Sequence, residues 1–283
     1  MKNIRYMILL LATLGMVSCD KHEIEYRATP LTGEMAEIQL HYFVPLESKA
    51  NNHIYKMEIA GKEYVNNNSS ILSVYNGIPS GSVGRFYAVN TGDVNIKLYK
   101  GPEMELTYDK NVKLSAGKQN VFVYDFDKEP IVFDNGYPYE QNVTMDTDST
   151  CWVKFYHFLY EKEGEYSSLK LQYQYQYTKR DGSKSEWINI GDPIGFGETT
   201  GWQPIRVIKE VYNSSGKARV DYNIKVQDAN GEYTVDLQTI NKNGKYIPYS
   251  DYWNNYIGRR YHHVLKGMRS AQPIASVSNF TAL

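Results

Sequence analysis

The sequence predicts an all-β protein made of two β-sandwiches in tandem, on three observations. The first is tyrosine: the 283 residues include 26 tyrosines and four tryptophans. Tyrosine favours strands because its ring buries on a pleated face while its hydroxyl stays wet. The second is alternation. Segment after segment alternates apolar and polar residues with a period of two, and few show helical spacing. The third is punctuation: turn signals divide the chain into two runs of roughly seven short strands each. The competing reading is one sandwich with a long irregular extension.

Lys2 and Arg5 precede a twelve-residue apolar stretch, Tyr6 to Val17. A membrane span needs ~20 residues, so this length suits the core of an export signal. Met16-Val17-Ser18-Cys19 follows and resembles the lipobox of bacterial lipoproteins, although Met16 stands where leucine is usual. The resemblance implies that residues 1–18 are a lipoprotein signal peptide, removed before Cys19, and that Cys19 takes a diacylglycerol on sulfur and an acyl chain on nitrogen. Several chains together anchor stably, where one is marginal. The alternative is an ordinary secretory signal with an incidental cysteine. Asp20, Glu23 and Glu25 just behind Cys19 resemble the export signal of Bacteroidota lipoproteins, which implies the outer membrane and its cell-surface face. Residues 19–35 are polar, include Pro30 and Gly33, and read as a lipidated tether.

The first unit is expected over 36–136. Glu37 to Val44 is its first strand. Tyr55 to Val65 is a strand pair broken at Ala60-Gly61-Lys62. Ile71 to Tyr75, Gly84 to Val89 and Asn95 to Tyr99 follow, and Thr107 to Leu114 with Asn120 to Phe126 reads as a closing hairpin around Ala116-Gly117. The boundary is placed near 136–146, after Asp134-Asn135-Gly136. The second unit is expected over 147–283. Its opening segment, Val153 to Phe158, parallels Ile38 to Phe43. Leu169 to Thr178 alternates most regularly, with Leu169, Leu171, Tyr173, Tyr175 and Tyr177 on one face and Lys170, Gln172, Gln174 and Gln176 on the other. Asp181-Gly182 then turns it into Glu186 to Ile190. Ile205 to Tyr212, Ala218 to Gln227, Tyr233 to Ile240 and Tyr261 to Lys266 complete the set. Two such sets suggest immunoglobulin-like sandwiches.

Several of these features resemble the tandem β-sandwich lipoproteins of the Bacteroidota cell envelope, many of unknown function. They are the Met16–Cys19 signal, the string Gly84 to Tyr99 ahead of Leu114 to Lys118, and Arg260 to Gly267 with a late Phe280. That family carries no catalytic motif. The resemblance implies glycan capture beside an outer-membrane importer, adhesion, or envelope structure.

The charges nearly cancel: 31 basic residues against 32 acidic leave a net charge of −1. No field attracts nucleic acid, and none is expected as a partner. With Cys19 acylated, Cys151 has no disulfide partner and stability rests on core burial. Beside Trp152 and Val153 it reads as a small buried hydrophobe. As a nucleophile it would need a base, and His157 lies roughly 20 Å along a strand. The sequence holds no phosphate loop, nucleophile elbow or zinc-spaced cysteines, so neither enzyme activity nor a cofactor is expected. Adjacent His262 and His263 point to opposite faces of a strand, one expected packed and one solvated. Asp146 and Asp148, with Thr144 and Thr150, offer calcium-type oxygens but lack an EF-hand pattern, and read as linker. Asp125 and Asp127 read as surface residues.

The candidate ligand site is aromatic: Trp253 first, then Tyr252, Tyr256, Trp202 and Trp187, assigned to loops or the polar segment Tyr246 to Arg259. A sugar ring has an apolar C–H face that stacks on an exposed indole or phenol, while Asp251, Asn254, Asn255 and Gln203 could bond its hydroxyls. The expected function is a lipid-anchored surface protein that binds a polysaccharide or an envelope protein without catalysis. The alternative is a structural or accessory subunit of an envelope or adhesive-filament complex.

Overall fold

The computed structural model describes residues 35–66, 68–79, 86–135 and 150–282. The signal, Cys19, most of the tether, the expected boundary and the Asp146–Asp148 loop lie outside them. Nine strands form the first half: β1 (Met35–Tyr42), β2 (Ile54–Ile59), β3 (Lys62–Val65), β4 (Gly77–Ile78), β5 (Tyr87–Asn90), β6 (Gly92–Lys100), β7 (Glu105–Leu114), β8 (Gly117–Val123) and β9 (Ile131–Asp134). The second half opens with β10 (Thr150–His157), β11 (Tyr160–Lys162), β12 (Glu165–Tyr166), β13 (Gln172–Tyr177), β14 (Ile188–Asn189), β15 (Thr199–Arg206) and β16 (Ala218–Val226). It continues with β17 (Val235–Asp236), β18 (Gln238–Ile240), β19 (Tyr246–Pro248), β20 (Ser250–Asn255), β21 (Arg260–Lys266) and β22 (Ser276–Ala282). Among the described residues there is no α-helix, and no helix is long and apolar enough to cross a membrane. The all-β expectation holds.

The strands form four main sheets. Sheet 1 runs β4-β1-β8-β9, with β5 also on β1, and sheet 2 runs β3-β2-β6-β7. Sheet 3 runs β15-β10-β21-β22. Sheet 4 runs β14-β13-β16-β17, with β20 also on β16. The two halves are wired alike. β1 pairs in parallel with β8, and β10 in parallel with β21, while the other pairs in these sheets are antiparallel. The similarity of Ile38–Phe43 to Val153–Phe158 therefore has a counterpart: each segment fills the strand beside its half's late parallel partner.

Alternation decides which side chain enters which layer. On β1, Ala36, Ile38, Leu40 and Tyr42 are fully buried against Ile54, Met57, Ile59, Ile96 and Leu98 of sheet 2. On β10, Cys151, Val153 and Phe155 join a second core with Leu171, just ahead of β13, and with Tyr173, Val220 and Ile224 of sheet 4. Of the intervening residues, Gln39 and His41 of β1 and Trp152, Lys154 and Tyr156 of β10 are also buried, and Glu37 is partly so. Tyr156, Phe158 and Val264 belong to the same apolar cluster as sheet 1. Phe122 stacks on Phe158 at 5.0 Å between ring centres and lies 5.3 Å from Tyr156. Sheets 1 and 3 are thus inner layers covered on both faces.

Polar contacts line the same layer. Tyr160 donates to the Tyr124 carbonyl at 2.6 Å, and Lys154 to the Asp134 carbonyl at 2.6 Å. The Tyr166 hydroxyl donates to Asp125, so that carboxylate joins the contact between the halves instead of standing free on the surface.

Several sequence expectations shift. β7 and β8 are not a hairpin: β7 pairs β6 in sheet 2, while β8 pairs β1 and β9 in sheet 1. Ala116-Gly117 carries the chain from one sheet to the other. His262 and His263 do point to opposite faces, but both are buried, at 2% and 0% exposure. β21 is an inner strand, so each of its faces meets another sheet. Tyr246 to Arg259 is no loop; it contains β19 and β20. The break at Ala60-Gly61 stands as expected, and both residues adopt positive φ, 52° and 75°.

Candidate functional site

Sheet 4 turns one face into the second core and leaves the other outward. Its register sets a transverse row. Gln176 of β13 pairs with Asp221 of β16, and Asp221 pairs with Tyr252 of β20. Ile188 of β14 pairs with Tyr175, which sets Trp187 beside Gln176. Trp187, Gln176, Asp221 and Tyr252 therefore cross the sheet in line, an aromatic ring at each end. Three strand spacings put those rings roughly 14 Å apart. Trp187 is 40% exposed and Tyr252 48%. With Arg219, Ser250 and Asp251 the row lines a shallow cleft of 390 Å³.

The charges in the cleft hold one another. Asp221 accepts from Arg219 Nε and from Lys184 Nζ, both at 2.6 Å. Partial burial alone would raise the Asp221 carboxyl, but the bonds from Lys184 and Arg219 outweigh it and hold it below the usual range. Arg219 also lies 4.0 Å from the centre of the Tyr252 ring, a cation–π contact that orients the ring from one side. Two cations, Lys184 and Arg219, face two carboxylates, Asp221 and Asp251, so the cleft is neutral in sum. Beside the row, Gln174 donates to Asn189 Oδ1 at 2.7 Å. The buried carbonyl oxygens of Gln174 and Asn223 find no donor among the described residues. This surface presents amides and fixed charges between two ring platforms. Such a set can bond hydroxyls and stack a flat apolar face.

The sequence-derived site is thus partly relocated. Trp253 is 6% exposed and belongs to the second core. Its ring meets His263 edge-on at 4.7 Å and lies 5.6 Å from Tyr222. No sugar can reach an indole held there. The cause is strand alternation on β20, which sends Trp253 and Asn255 inward, after the buried Tyr249 that precedes the strand, and Tyr252 and Asn254 outward. Asn255 is fully buried and accepts from Tyr212. Trp202 stands in mid-strand on β15 beside His262, ring centres 4.9 Å apart, and not on a loop. Tyr256 is half-buried, with Arg259 at 4.0 Å and Lys217 at 5.3 Å from its ring centre. Of the five aromatics, Trp187 and Tyr252 alone line the cleft. Gln176 and Asp221 were not singled out from the sequence. Gln176 was legible as the polar end of the Leu169–Thr178 alternation, but nothing local pairs it with Asp221.

Cys151 is fully buried, and burial pushes its thiol well above the usual range. A thiol so held is a packing group. Among the described residues, no three His, Cys, Asp or Glu side chains converge as metal ligands.

No family model matches the chain, and no curated protein matches it. Among solved structures it is similar to a crystal structure described as a "putative cell adhesion protein" from Bacteroides fragilis. The identity is 9%, over 88% of this chain and 97% of that one, with a TM-score of 0.27.

Proposed function

We propose that this chain is an exported lipoprotein, tethered to the outer membrane through lipid on Cys19 and facing outward, that binds a glycan without catalysis on the outer face of sheet 4. One observation supports the site above all: Trp187 and Tyr252 stand exposed at the two ends of a row whose middle members are Gln176 and Asp221. A row of that length suits several sugar units of an extended chain rather than one enclosed ring. Trp187 and Tyr252 stack on C–H faces, where many weak dispersion contacts add. The Gln176 amide donates to and accepts from the hydroxyls between them, and the carboxylate of Asp221 accepts. The cancelled charge favours a neutral backbone at this face. The signal sequence and the Met16–Cys19 motif support delivery to the envelope.

The test is affinity electrophoresis of the mature protein through gels containing neutral polysaccharides, with Trp187→Ala and Tyr252→Ala beside wild type. Retardation of wild type that falls at least fivefold in each variant is expected. Retardation unchanged in both variants would remove the site. Migration unaffected by every polysaccharide would remove the function.

A further inference from the structure

A second cleft lies at the open end of the sandwich formed by sheets 3 and 4, where β13 and β15 finish. It has a volume of 530 Å³ and is lined by Tyr177, Lys179, Arg180, Asp181, Arg206 and Glu210, among others. Tyr177 follows Gln176 on β13, so the two clefts sit on opposite faces of one strand end. Three cations face two carboxylates here, which leaves one positive charge in excess, and Lys179 helps hold the Asp181 carboxyl below its usual range after the Ser183 bonds. Glu210 pairs with Arg180 at 2.7 Å. Asp181 Oδ1 accepts from the Ser183 amide at 2.9 Å and its hydroxyl at 2.6 Å. Lys179 and Arg206 are left without a carboxylate within 4.0 Å among the described residues. Arg206 is also positioned. Its backbone N–H donates to the Tyr175 hydroxyl at 3.1 Å, and its guanidinium lies 5.8 Å from the centre of the Tyr177 ring.

We propose that this cleft binds the anionic group of a glycan, a carboxylate carried on a sugar. The planar guanidinium of Arg206 matches a carboxylate in bidentate fashion, and Lys179 adds a second positive point. The Tyr177 ring, 5.8 Å from the guanidinium, gives it a weak cation–π contact that limits its freedom. The cleft's three cations exceed its two carboxylates by one, a local positive excess on a chain whose net charge is −1. The anion preference stands on these groups alone; the sugar carrier rests on the glycan reading of the neighbouring cleft. Together the two sites describe a ligand with a neutral stretch and an acidic branch or terminus.

The experiment is a titration of isotope-labelled mature protein, followed by amide NMR shifts, with D-glucuronate, D-glucose and inorganic sulfate as probes. Glucuronate is expected to shift the amides around Tyr177, Lys179 and Arg206 saturably. Its affinity should fall about tenfold in Arg206→Gln, fall in Lys179→Gln, and weaken with salt. Glucose should leave those amides unmoved. Both substitutions are at exposed side chains, and an otherwise unchanged amide spectrum verifies the fold. The absence of a saturable shift with glucuronate, or an equal affinity in Arg206→Gln, overturns the proposal. Saturation by sulfate without glucuronate overturns the saccharide carrier. Trp187→Ala should not alter glucuronate binding, so loss of the neutral-glycan site and loss of this one read out separately.

Discussion

His262 and His263 are consecutive on β21 and stand back to back in two different cores, one hydrogen-bonded to Tyr156 at 2.8 Å and the other to Tyr173 at 2.7 Å. Each bond uses Nδ1, and the Nε2 of each ring has no partner among the described residues. His262 faces sheet 1, while His263 packs with Trp253 and Tyr222 under sheet 4. A single strand thereby ties together both cores of the second half's inner sheet. Among the described residues no carboxylate acts on either ring, and burial holds both neutral.

Acid should weaken the fold well above the pH at which carboxylates titrate. Burial lowers His41 and His157 to about 4 and His263 to about 3, and takes His262 well below its usual value. These folded values lie below the ordinary 6.5, so the unfolded chain takes up protons first as pH falls. Stability is therefore full above pH 6.5 and declines from there toward pH 4. Each such histidine contributes a slope of up to about 1.4 kcal/mol per pH unit in that window. Urea midpoints at pH 7.5, 6.5 and 5.5 check this. A midpoint that does not fall between 6.5 and 5.5 contradicts the assignment.

Phe122→Ala should destabilise both halves together. Phe122 stacks on His41 at 4.4 Å and on Phe158 at 5.0 Å, and lies 5.8 Å from Phe133. Removing a buried ring of this size costs about 3–5 kcal/mol. All four tryptophans, 152, 187, 202 and 253, belong to the second half. Their fluorescence therefore reports whether a first-half substitution is felt across the contact. The expected outcome is one transition at a lower urea midpoint. An unmoved tryptophan transition would show that the halves unfold independently.

The aromatics should separate by role. Trp253→Ala removes an indole from the second core and should cost about 3–5 kcal/mol. Trp187→Ala, at an exposed edge, should stay within about 0.5 kcal/mol of wild type. Thermal or urea denaturation of the two variants side by side decides this. Equal loss of stability would mean that Trp187 is a packing residue.

Membrane attachment should depend on one sulfur. Radiolabelled palmitate is expected in the wild-type protein and not in Cys19→Ala, which should appear in the soluble fraction. Label retained by Cys19→Ala would place the lipid elsewhere, and wild type without label would leave the protein unanchored.

Much of the fold was legible locally. Leu169 to Thr178 advertises its two faces, and Leu171, Tyr173 and Tyr175 are indeed buried. Ala60-Gly61 marks its turn by residue type. The candidate site was legible only in part. Trp187 and Tyr252 were singled out as aromatics, but Trp253 drew more weight because Tyr246 to Arg259 looks polar. Its alternation was present all along, with Tyr249, Trp253 and Asn255 on one face. Polar Asp251 and Asn255 share that face, and the outward Asn254 adds to the polar look.

Period-two patterning fixes where a strand lies and which residues share a face, because that depends on neighbours along the chain. The β-rich composition, the turns and the export motif all belong to this local class. Whether a face meets solvent or a second sheet depends on chain segments more than a hundred residues away, such as Tyr156 against His262. Only the tertiary stack could show that both histidines of β21 are covered. Only it could show that Gln176 and Asp221, on different strands, complete a row between Trp187 and Tyr252.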